Sequence, residues 1–171
     1  MLHIYHGSGK GKTTAAVGLA VRFAGAGGKV LFMQFLKNGT SSEIGILKKT
    51  DGITVSCCEK CSKFTFKMNS DEKAEVIAEH NEMLRQAADF IRNEPECLVV
   101  LDEFLDAYNK DMLDKGIADE LLLLLSDKAE VVVTGRSPDE KFICKADYIS
   151  CITAEKHPYQ RGIKARKGIE Y

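Results

Sequence analysis

This chain of 171 residues has little net charge and no long apolar run, and we expect no signal peptide. Its 24 basic and 25 acidic residues leave a formal charge of −1, so no overall field favours nucleic acid or an anionic membrane. The longest aliphatic run, Leu121 to Leu125, is far too short to cross a bilayer. The start, MLHIYHGSGKGK, has no apolar h-region and no cleavage site. We therefore expect a cytoplasmic protein with no nucleic-acid and no membrane partner.

Paired metal-binding cysteine motifs are also scarce, although the chain has six cysteines. Cys58 and Cys61 form a CxxC, but no second pair follows it. Zinc sites usually combine two such pairs, or one pair with spaced histidines. The sequence therefore favours reduced thiols over a metal site and assigns no role to the cluster of Cys57, Cys58 and Cys61.

The length and an ordinary composition, 44% hydrophobic and 29% charged, predict one domain over residues 1–171. The last segment, 155–171, reads EKHPYQRGIKARKGIEY and carries five Lys or Arg residues with little periodicity. Its composition leaves two interpretations open. It is either a solvated basic tail or a lid that folds back over an active site.

Apolar, β-prone runs alternate with helical patterns along the chain. The predicted strands are LHIYH (2–6), KVLFMQFL (29–36), GITVSC (52–57), CLVVLDE (97–103), EVVVTG (130–135) and DYISCI (147–152). The predicted helices are Thr13–Ala26, Asn69–Arg92 with a capping-box start, Asp111–Leu125 and Asp139–Ala146. Continuously apolar strands separated by helices are typical of a sheet covered on both sides. We predict a doubly wound, mostly parallel α/β fold with helices on both faces, similar to P-loop NTPases.

A glycine-rich loop follows the first predicted strand, in the stretch YHGSGKGKTTAA. The P-loop pattern is G-x-x-x-x-G-K-[ST], and Gly11, Lys12 and Thr13 fill its last three places while His6 stands in the first. Such a loop at a helix start turns N–H groups toward phosphates, with the lysine reaching terminal phosphates and the hydroxyl reaching Mg²⁺. The predicted nucleotide-binding residues here are Gly7, Ser8, Gly9, Lys10, Gly11, Lys12, Thr13 and Thr14. Lys10 is a second cation of the site unless it only faces solvent.

Polar residues also follow two later strands. Asp102 and Glu103 end CLVVLDE, where an acid beside a P-loop usually supports Mg²⁺, so the predicted metal residues are Thr13, Asp102 and Glu103. The alternative is an ordinary pair of surface acids. Arg136 follows EVVVTG and is a predicted phosphate clamp, because ligands of open α/β sheets bind at the carboxyl ends of strands. The alternative for Arg136 is a salt bridge with Asp139 or Asp147.

Six segments together resemble the P-loop type of ATP:cob(I)alamin (corrinoid) adenosyltransferases nearly end to end. They are GSGKGKTTAA, VLFMQFLKNG, KFTF, LVVLDE, VVVTGR and KHPYQRGIKARKGIEY, in the order of that family. The last segment is the most specific, because it is not a general feature of P-loop proteins. The family's own loop also lacks the first glycine and usually has threonine there. The missing glycine is therefore expected in this family, but His6 differs from the usual threonine.

The resemblance implies that a Co(I) corrinoid attacks the ribose 5′-carbon of ATP and that triphosphate leaves intact. It also implies a nucleotide reversed in the loop, a homodimer and a flavin-type reductant. Phe64 and Phe66 would occupy the lower face of the corrin, although the family usually has tryptophan where Phe66 stands. Some members have an N-terminal extension; this sequence shows none, so we expect other segments to cover the site. The predicted catalytic residues are Lys12, Glu103, Phe64 and Phe66.

Three alternatives stay open at the level of sequence. A P-loop ATPase or kinase would use the acid after the magnesium-binding aspartate to activate water, which suits Asp102 and Glu103. A non-catalytic nucleotide-binding regulator would hold a partner with the basic tail. For Phe64 and Phe66, spacing alone more often indicates a strand that packs on a core.

Overall fold

Six parallel strands form one sheet in the computed structural model, which describes residues 1–94, 96–124 and 129–170. The strands are β1 (Leu2–His6), β2 (Lys29–Gln34), β3 (Ile53–Cys57), β4 (Cys97–Asp102), β5 (Glu130–Thr134) and β6 (Tyr148–Cys151). Their order across the sheet is β3-β2-β4-β5-β1-β6, and every neighbouring pair is parallel. The predicted doubly wound α/β fold is confirmed.

Helices connect these strands on both sides of the sheet. They are α1 (Lys12–Gly25), α2 (Ile44–Leu47), α3 (Ser70–Asn93), α4 (Phe104–Asn109), α5 (Lys115–Leu123) and α6 (Glu140–Lys145), with short 3₁₀ helices at Thr65–Lys67 and Pro158–Arg161. The longest, α3, begins with the predicted capping box. The Asn69 side chain accepts a hydrogen bond from Glu72 N, and the Glu72 carboxylate accepts one from Asn69 N.

The alternation of side chains along each strand builds two cores. On β2, Val30 and Phe32 belong to the core under α1 and α2, whereas Leu31 and Met33 belong to the core under α3 to α6. The strands β4 and β5 divide their side chains in the same way. All the residues of β4 are buried, which explains why its sequence is apolar without alternation.

The chain between β4 and β5 differs from the single predicted helix Asp111–Leu125. It forms α4, which was not predicted, and then α5 from Lys115 to Leu123; Leu125 lies outside the described residues. Asp111 has a φ of 53°, so the backbone turns there and cannot continue a helix. Asp114 then caps α5 by accepting hydrogen bonds from the N–H groups of Gly116 and Ile117.

Two strands also differ from their prediction. The second strand ends at Gln34 and not at Leu36, because Leu36 has a φ of 55° and turns the chain. The last strand, β6, lies at the sheet edge with all four residues exposed, so it is not covered on both faces. Among the described residues, no helix combines the length and the apolar character needed to cross a membrane.

Candidate functional site

The glycine-rich loop joins β1 to α1 at the carboxyl edge of the sheet. His6, in the first place of the P-loop pattern, is the last residue of β1 and pairs with Cys151 of β6. Its carbonyl accepts a hydrogen bond from Ile152 N at 2.7 Å. Because this place is still extended strand, it needs no glycine, and the turn begins at Gly7 with a φ of 111°.

The chain that follows β6 packs directly against this loop. A Cβ atom on Gly7 would lie 2.4 Å from the carbonyl oxygen of Ile152, and one on Gly9 would lie 2.8 Å from it. The N–H of Gly9 donates to that same carbonyl at 2.8 Å, and the N–H of Gly7 donates to Arg136 O at 3.0 Å. These two glycines therefore accommodate protein backbone, and their N–H groups are bonded within the protein.

Lys12 stabilises the loop through hydrogen bonds to its backbone. Its Nζ donates to the carbonyl oxygens of Gly7 and Gly9 at 2.9 and 2.8 Å. The ammonium is therefore engaged by the loop's own carbonyl groups and would have to leave them to bind a phosphate. Ser8, Lys10 and Thr14 are exposed on the same loop and helix start.

Asp102, at the end of β4, is the buried centre of the site. Its carboxylate has no exposed surface and accepts four hydrogen bonds. Oδ1 accepts from the hydroxyls of Thr13 and Thr134, each at 2.8 Å. Oδ2 accepts from Gln34 Nε2 at 3.0 Å and from Lys37 Nζ at 3.3 Å. This carboxylate therefore joins the P-loop helix to β2, β5 and the loop after β2.

Glu103 follows in a strained backbone conformation, with a φ of 61°. Its N–H donates to Thr134 Oγ1 at 2.9 Å, and its carboxylate lies 3.4 Å from Lys37 Nζ. Burial raises the pKa of Glu103 even though Lys37 opposes this. Burial also acts to lower the pKa of Lys37, but the charges of Asp102 and Glu103 raise it overall. Two carboxyl groups share one half-buried counter-ion, Lys37, an arrangement that suits a further cation.

A cavity of about 680 Å³ opens beside Thr13 and Lys37, two of the residues that contact Asp102. Four segments line it: the start of α1, the loop after β2, the segment around Cys61 to Phe64, and the end of the chain. The lining residues include Thr13, Thr14, Lys37, Ser41, Phe64 and Glu170. This volume lies within the range of sites for small ligands, which is about 300–1,000 Å³.

The segment 155–170 returns to this cavity, where Gly168, Ile169 and Glu170 form part of its wall. Arg166 and Glu170 form a bidentate ion pair with a shortest distance of 2.9 Å. The hydrogen bonds from Arg166, with smaller contributions from the charges of Arg166 and of Lys10 on the P-loop, lower the pKa of Glu170 to about 2. The end of the chain is thus placed beside the nucleotide loop, as the lid interpretation requires; Tyr171 lies outside the described residues.

Phe64 lies just before the 3₁₀ helix Thr65–Lys67 and Phe66 lies within it, and neither is a core residue. They are 71% and 77% exposed, and their rings stack with centroids 5.6 Å apart and planes at 13°. Phe64 also lines the cavity. Phe64 and Phe66 therefore do not lie on a strand that packs against the core, which was the alternative interpretation of their spacing. Two stacked aromatic rings in solvent form a surface that suits a flat apolar ligand.

Arg136 lies on the other side of the P-loop, at the end of β5. Its side chain is exposed, its N–H donates to Asp106 Oδ2 at 2.9 Å, and it is absent from the cavity wall. Within the described part of the chain it forms no ion pair with Asp139 or Asp147. Asp139 caps α6, and Asp147 accepts a hydrogen bond from Leu2 N. The structure therefore leaves the phosphate-clamp interpretation of Arg136 as a prediction.

Sequence analysis missed three polar residues of the site. Gln34 and Thr134 are buried at the ends of β2 and β5, and Lys37 follows two residues beyond Phe35. A glutamine at the end of an otherwise apolar strand was the available signal. The contact of Lys37 with Asp102 depends on the turn at Leu36, which no local pattern indicated.

Comparison with known proteins identifies this arrangement. A sequence model of the family described as ATP:corrinoid adenosyltransferase BtuR/CobO/CobP matches residues 1–171. The chain belongs to the ATP:corrinoid adenosyltransferase family. A corrinoid adenosyltransferase of Sinorhizobium sp is similar at 31% identity, over 96% of this chain and 77% of the relative. One of Pseudomonas aeruginosa is 31% identical over 100% of this chain and 83% of the relative.

The resemblance drawn from the sequence is therefore confirmed, and the protein is an enzyme of this family. The family match favours adenosyl transfer over an ATPase or kinase. Among solved structures, EssC (ATPases 2 and 3) from Geobacillus thermodenitrificans is similar with a TM-score of 0.53 and 13% identity. The match covers 99% of this chain and 36% of that chain, and it supports the fold alone.

The raised pKa of Glu103 predicts how a neutral isostere changes stability with pH. Because the folded-state pKa lies above the unfolded value, the stabilising contribution of protonated Glu103 is lost as pH rises through the folded pKa. Glu103→Gln cannot ionise. Without ATP and Mg²⁺, its free energy of unfolding should exceed that of the wild type increasingly as the pH rises from about 4, near the unfolded pKa, through the raised folded-state pKa. Urea unfolding measures this difference, with Glu120→Gln on the exposed surface of α5 as the control. Parallel pH curves for Glu103→Gln and wild type would contradict it.

Proposed function

We propose that the protein transfers the 5′-deoxyadenosyl group of ATP to the Co(I) of a corrinoid. The cobalt electron pair forms the bond to the ribose 5′-carbon, the 5′-carbon–oxygen bond breaks, and triphosphate leaves with that electron pair. The observation that carries this proposal is one cavity bounded by both a P-loop helix and an exposed aromatic ring, in a chain of the ATP:corrinoid adenosyltransferase family.

The P-loop would stabilise the leaving triphosphate. Negative charge develops on the phosphate oxygens as the 5′-carbon bond breaks, and fixed donors at that place lower the barrier. The N–H groups of Gly7 and Gly9 are bonded to backbone, so we assign this task to the start of α1 and to Lys12. The reversed nucleotide implied by the family resemblance would turn the 5′-carbon toward the cavity. No protein nucleophile is needed, since the reaction depends mainly on positioning.

The residues around Asp102 fit a magnesium ion. Thr13 Oγ1 and Asp102 Oδ1 lie 2.8 Å apart, and Glu103 adds a second carboxylate beside them. Hard oxygen donors of this kind suit Mg²⁺, which would offset phosphate charge when bound with ATP. Lys37 already balances part of the carboxylate charge and would move aside or share the site. The dependence on Mg²⁺ belongs to the proposal.

Phe64 and Phe66 would cover the lower face of the corrin. Co(II) holds an axial ligand, whereas Co(I) prefers four ligands, so apolar side chains on that face exclude water and the axial base. Removing the ligand destabilises Co(II) and makes its reduction easier. The two rings are exposed and stacked next to the cavity, which supports this role. Phe66 supplies a smaller ring than the tryptophan usual in the family.

The segment 155–170 would close over the bound substrates. Its last described residues already form one wall of the cavity, while Tyr159, Ile163 and Ile169 remain exposed. A segment that buries so little of its own apolar surface contributes little to the core. We therefore propose that residues 1–171 form a single domain whose end serves as the lid.

The reductant, the assembly and the location belong to the same proposal. The reduction to Co(I) would come from a flavin-type donor. A homodimer follows from the family resemblance, and the exposed edge strand β6 with Tyr148 and Ile149 offers a surface for a second copy. All six cysteines are free thiols, which is compatible with the proposed cytoplasmic location.

Product analysis of Lys12→Ala tests the transfer. Wild-type protein mixed anaerobically with Mg·ATP and chemically reduced corrinoid should form the cobalt–carbon bond, seen by absorbance, and release triphosphate. Lys12→Ala should lower the rate by about 10²–10³ because one preorganised charge is lost. Lys73→Ala, on the exposed side of α3, is the control. Release of phosphate or pyrophosphate by the wild type would instead indicate an ATPase or kinase, and no turnover would indicate a binding protein.

Truncation tests the lid. A chain ending at Glu155 should keep the unfolding free energy of the full chain nearly unchanged, because the removed residues bury little apolar surface. It should lose turnover, since the cavity wall at Gly168 to Glu170 is gone. Urea unfolding and the adenosylation assay measure the two effects on the same sample. Full activity in a folded truncated protein would show that the segment is only a solvated tail.

Alanine substitution of the aromatic pair tests the corrinoid face. Phe64→Ala or Phe66→Ala should strongly impair turnover when the reaction starts from Co(II) with a mild reductant. The defect should be much smaller when Co(I) is prepared beforehand, because the assisted step is then bypassed. Leu123→Ala, an exposed apolar residue of α5, is the matched control. If turnover falls equally in the two assays, the two rings do not assist the reduction of Co(II).

A further inference from the structure

Three side chains with metal-ligating atoms meet beside the aromatic pair. Cys58 Sγ, Cys61 Sγ and His80 Nε2 all lie within 4.8 Å of one another. Cys58 and His80 have no exposed surface, and Cys61 is 6% exposed where it lines the cavity. Sequence spacing showed only the CxxC, because the histidine comes from α3 and reaches the pair only in the folded chain.

The separation of Cys61 from His80 fits a tetrahedral ion. With Zn–S bonds of about 2.3 Å and Zn–N bonds of about 2.0–2.1 Å, a tetrahedron places sulfur and nitrogen roughly 3.6 Å apart. Cys61 Sγ and His80 Nε2 are separated by 3.6 Å. An ion could therefore enter between these atoms with little movement of the backbone.

The histidine is oriented as a metal ligand would be. His80 Nδ1 lies 2.7 Å from the carbonyl oxygen of Met112, so Nδ1 carries the proton and Nε2 presents its lone pair to the cysteines. A second hydrogen bond of this kind is the usual partner of a ligating histidine. Leu36 N donates to Nε2 at 3.3 Å, a long contact that a metal ion would replace.

Glu79 fixes the turn between the two cysteines. Its carboxylate accepts hydrogen bonds from Glu59 N and Lys60 N, each at 2.9 Å. Cys58 Sγ donates to Glu79 Oε2 at 3.2 Å. The turn is thus held with its thiols directed toward His80, and a carboxylate oxygen stands next to the place of a fourth ligand.

We propose that Cys58, Cys61 and His80 bind one zinc ion. Thiolate and imidazole are the donors that zinc prefers, two thiolates balance its charge, and buried sites of this kind are structural. The ion would join the segment 58–61 to α3. Because Phe64 lies three residues beyond Cys61, the bound ion would also hold the aromatic pair beside the cavity.

Metal binding by the wild-type protein is the direct test. Reduced protein, free of ATP and corrinoid and kept in excess Mg²⁺, is titrated with Zn²⁺ against a chromophoric chelator. We expect one equivalent bound in the submicromolar range or tighter. Co²⁺ in place of Zn²⁺ should give a thiolate-to-cobalt charge-transfer band and the intense visible bands of a tetrahedral site. If the folded, reduced protein binds no Zn²⁺, or Co²⁺ shows no thiolate band, the proposal is wrong.

Single variants assign the ligands. Cys58→Ser, Cys61→Ser and His80→Ala should each weaken Zn²⁺ binding by about 100-fold or more. Cys57→Ser, next to the cluster, and the exposed Cys144→Ser are matched controls and should bind as the wild type does. The cobalt spectrum of the wild type decides the question even where a variant fails to fold. A stable Cys58–Cys61 disulfide that forms in the presence of equimolar Zn²⁺ would overturn the zinc assignment in favour of a redox pair.

Discussion

The buried carboxylate of Asp102 is the interaction on which the rest of the site depends. A charge with no exposed surface is costly unless every lone pair has a donor, and four donors from three separate segments surround this one. The donors are Thr13, Gln34, Lys37 and Thr134. Because they come from three different parts of the chain, satisfying one carboxylate fixes the positions of α1, the end of β2 with its loop, and β5 together. No buried side-chain nitrogen or oxygen in the described part of the chain lacks a partner.

A second constraint connects the nucleotide loop to the end of the chain. Gly7 and Gly9 admit the backbone of Ile152 at distances that any side chain would prevent. Ile152 begins the path that leads through 155–170 back to the cavity wall. The loop that would hold the phosphates therefore also directs the segment that would cover them. A displacement of the glycine-rich loop should therefore displace the segment after β6, and the reverse, because the two are in direct backbone contact and no flexible side chain separates them.

Most of the fold could be predicted from sequence, since burial on both sides of a parallel sheet leaves apolar strands that local patterns show clearly. The carboxyl-edge residues Thr13, Asp102 and Glu103 were found because each follows a strand in a known motif. What local patterns could not show depends on turns and on distant partners. The positive φ values of Leu36, Glu103 and Asp111 bring Lys37 to Asp102, end β4 and keep the predicted helix from starting at Asp111, so that it starts at Lys115. The meeting of His80 with Cys58 and Cys61 likewise could not be seen in the sequence, because His80 lies on α3 and meets the cysteines only in the folded chain.

The two sides of the cavity differ in how they are stabilised. Hydrogen bonds to a buried charge fix the phosphate side, whereas Phe64 and Phe66 stand in water on the other side. Burying a phenylalanine ring is worth about 1.5–3 kcal/mol, and here that free energy is still unused in the absence of ligand. A corrinoid that covered both rings would release it on binding. The exposed pair therefore offers binding free energy to a flat apolar ligand that covers it, and this is the physical basis of the role proposed for it toward the corrinoid.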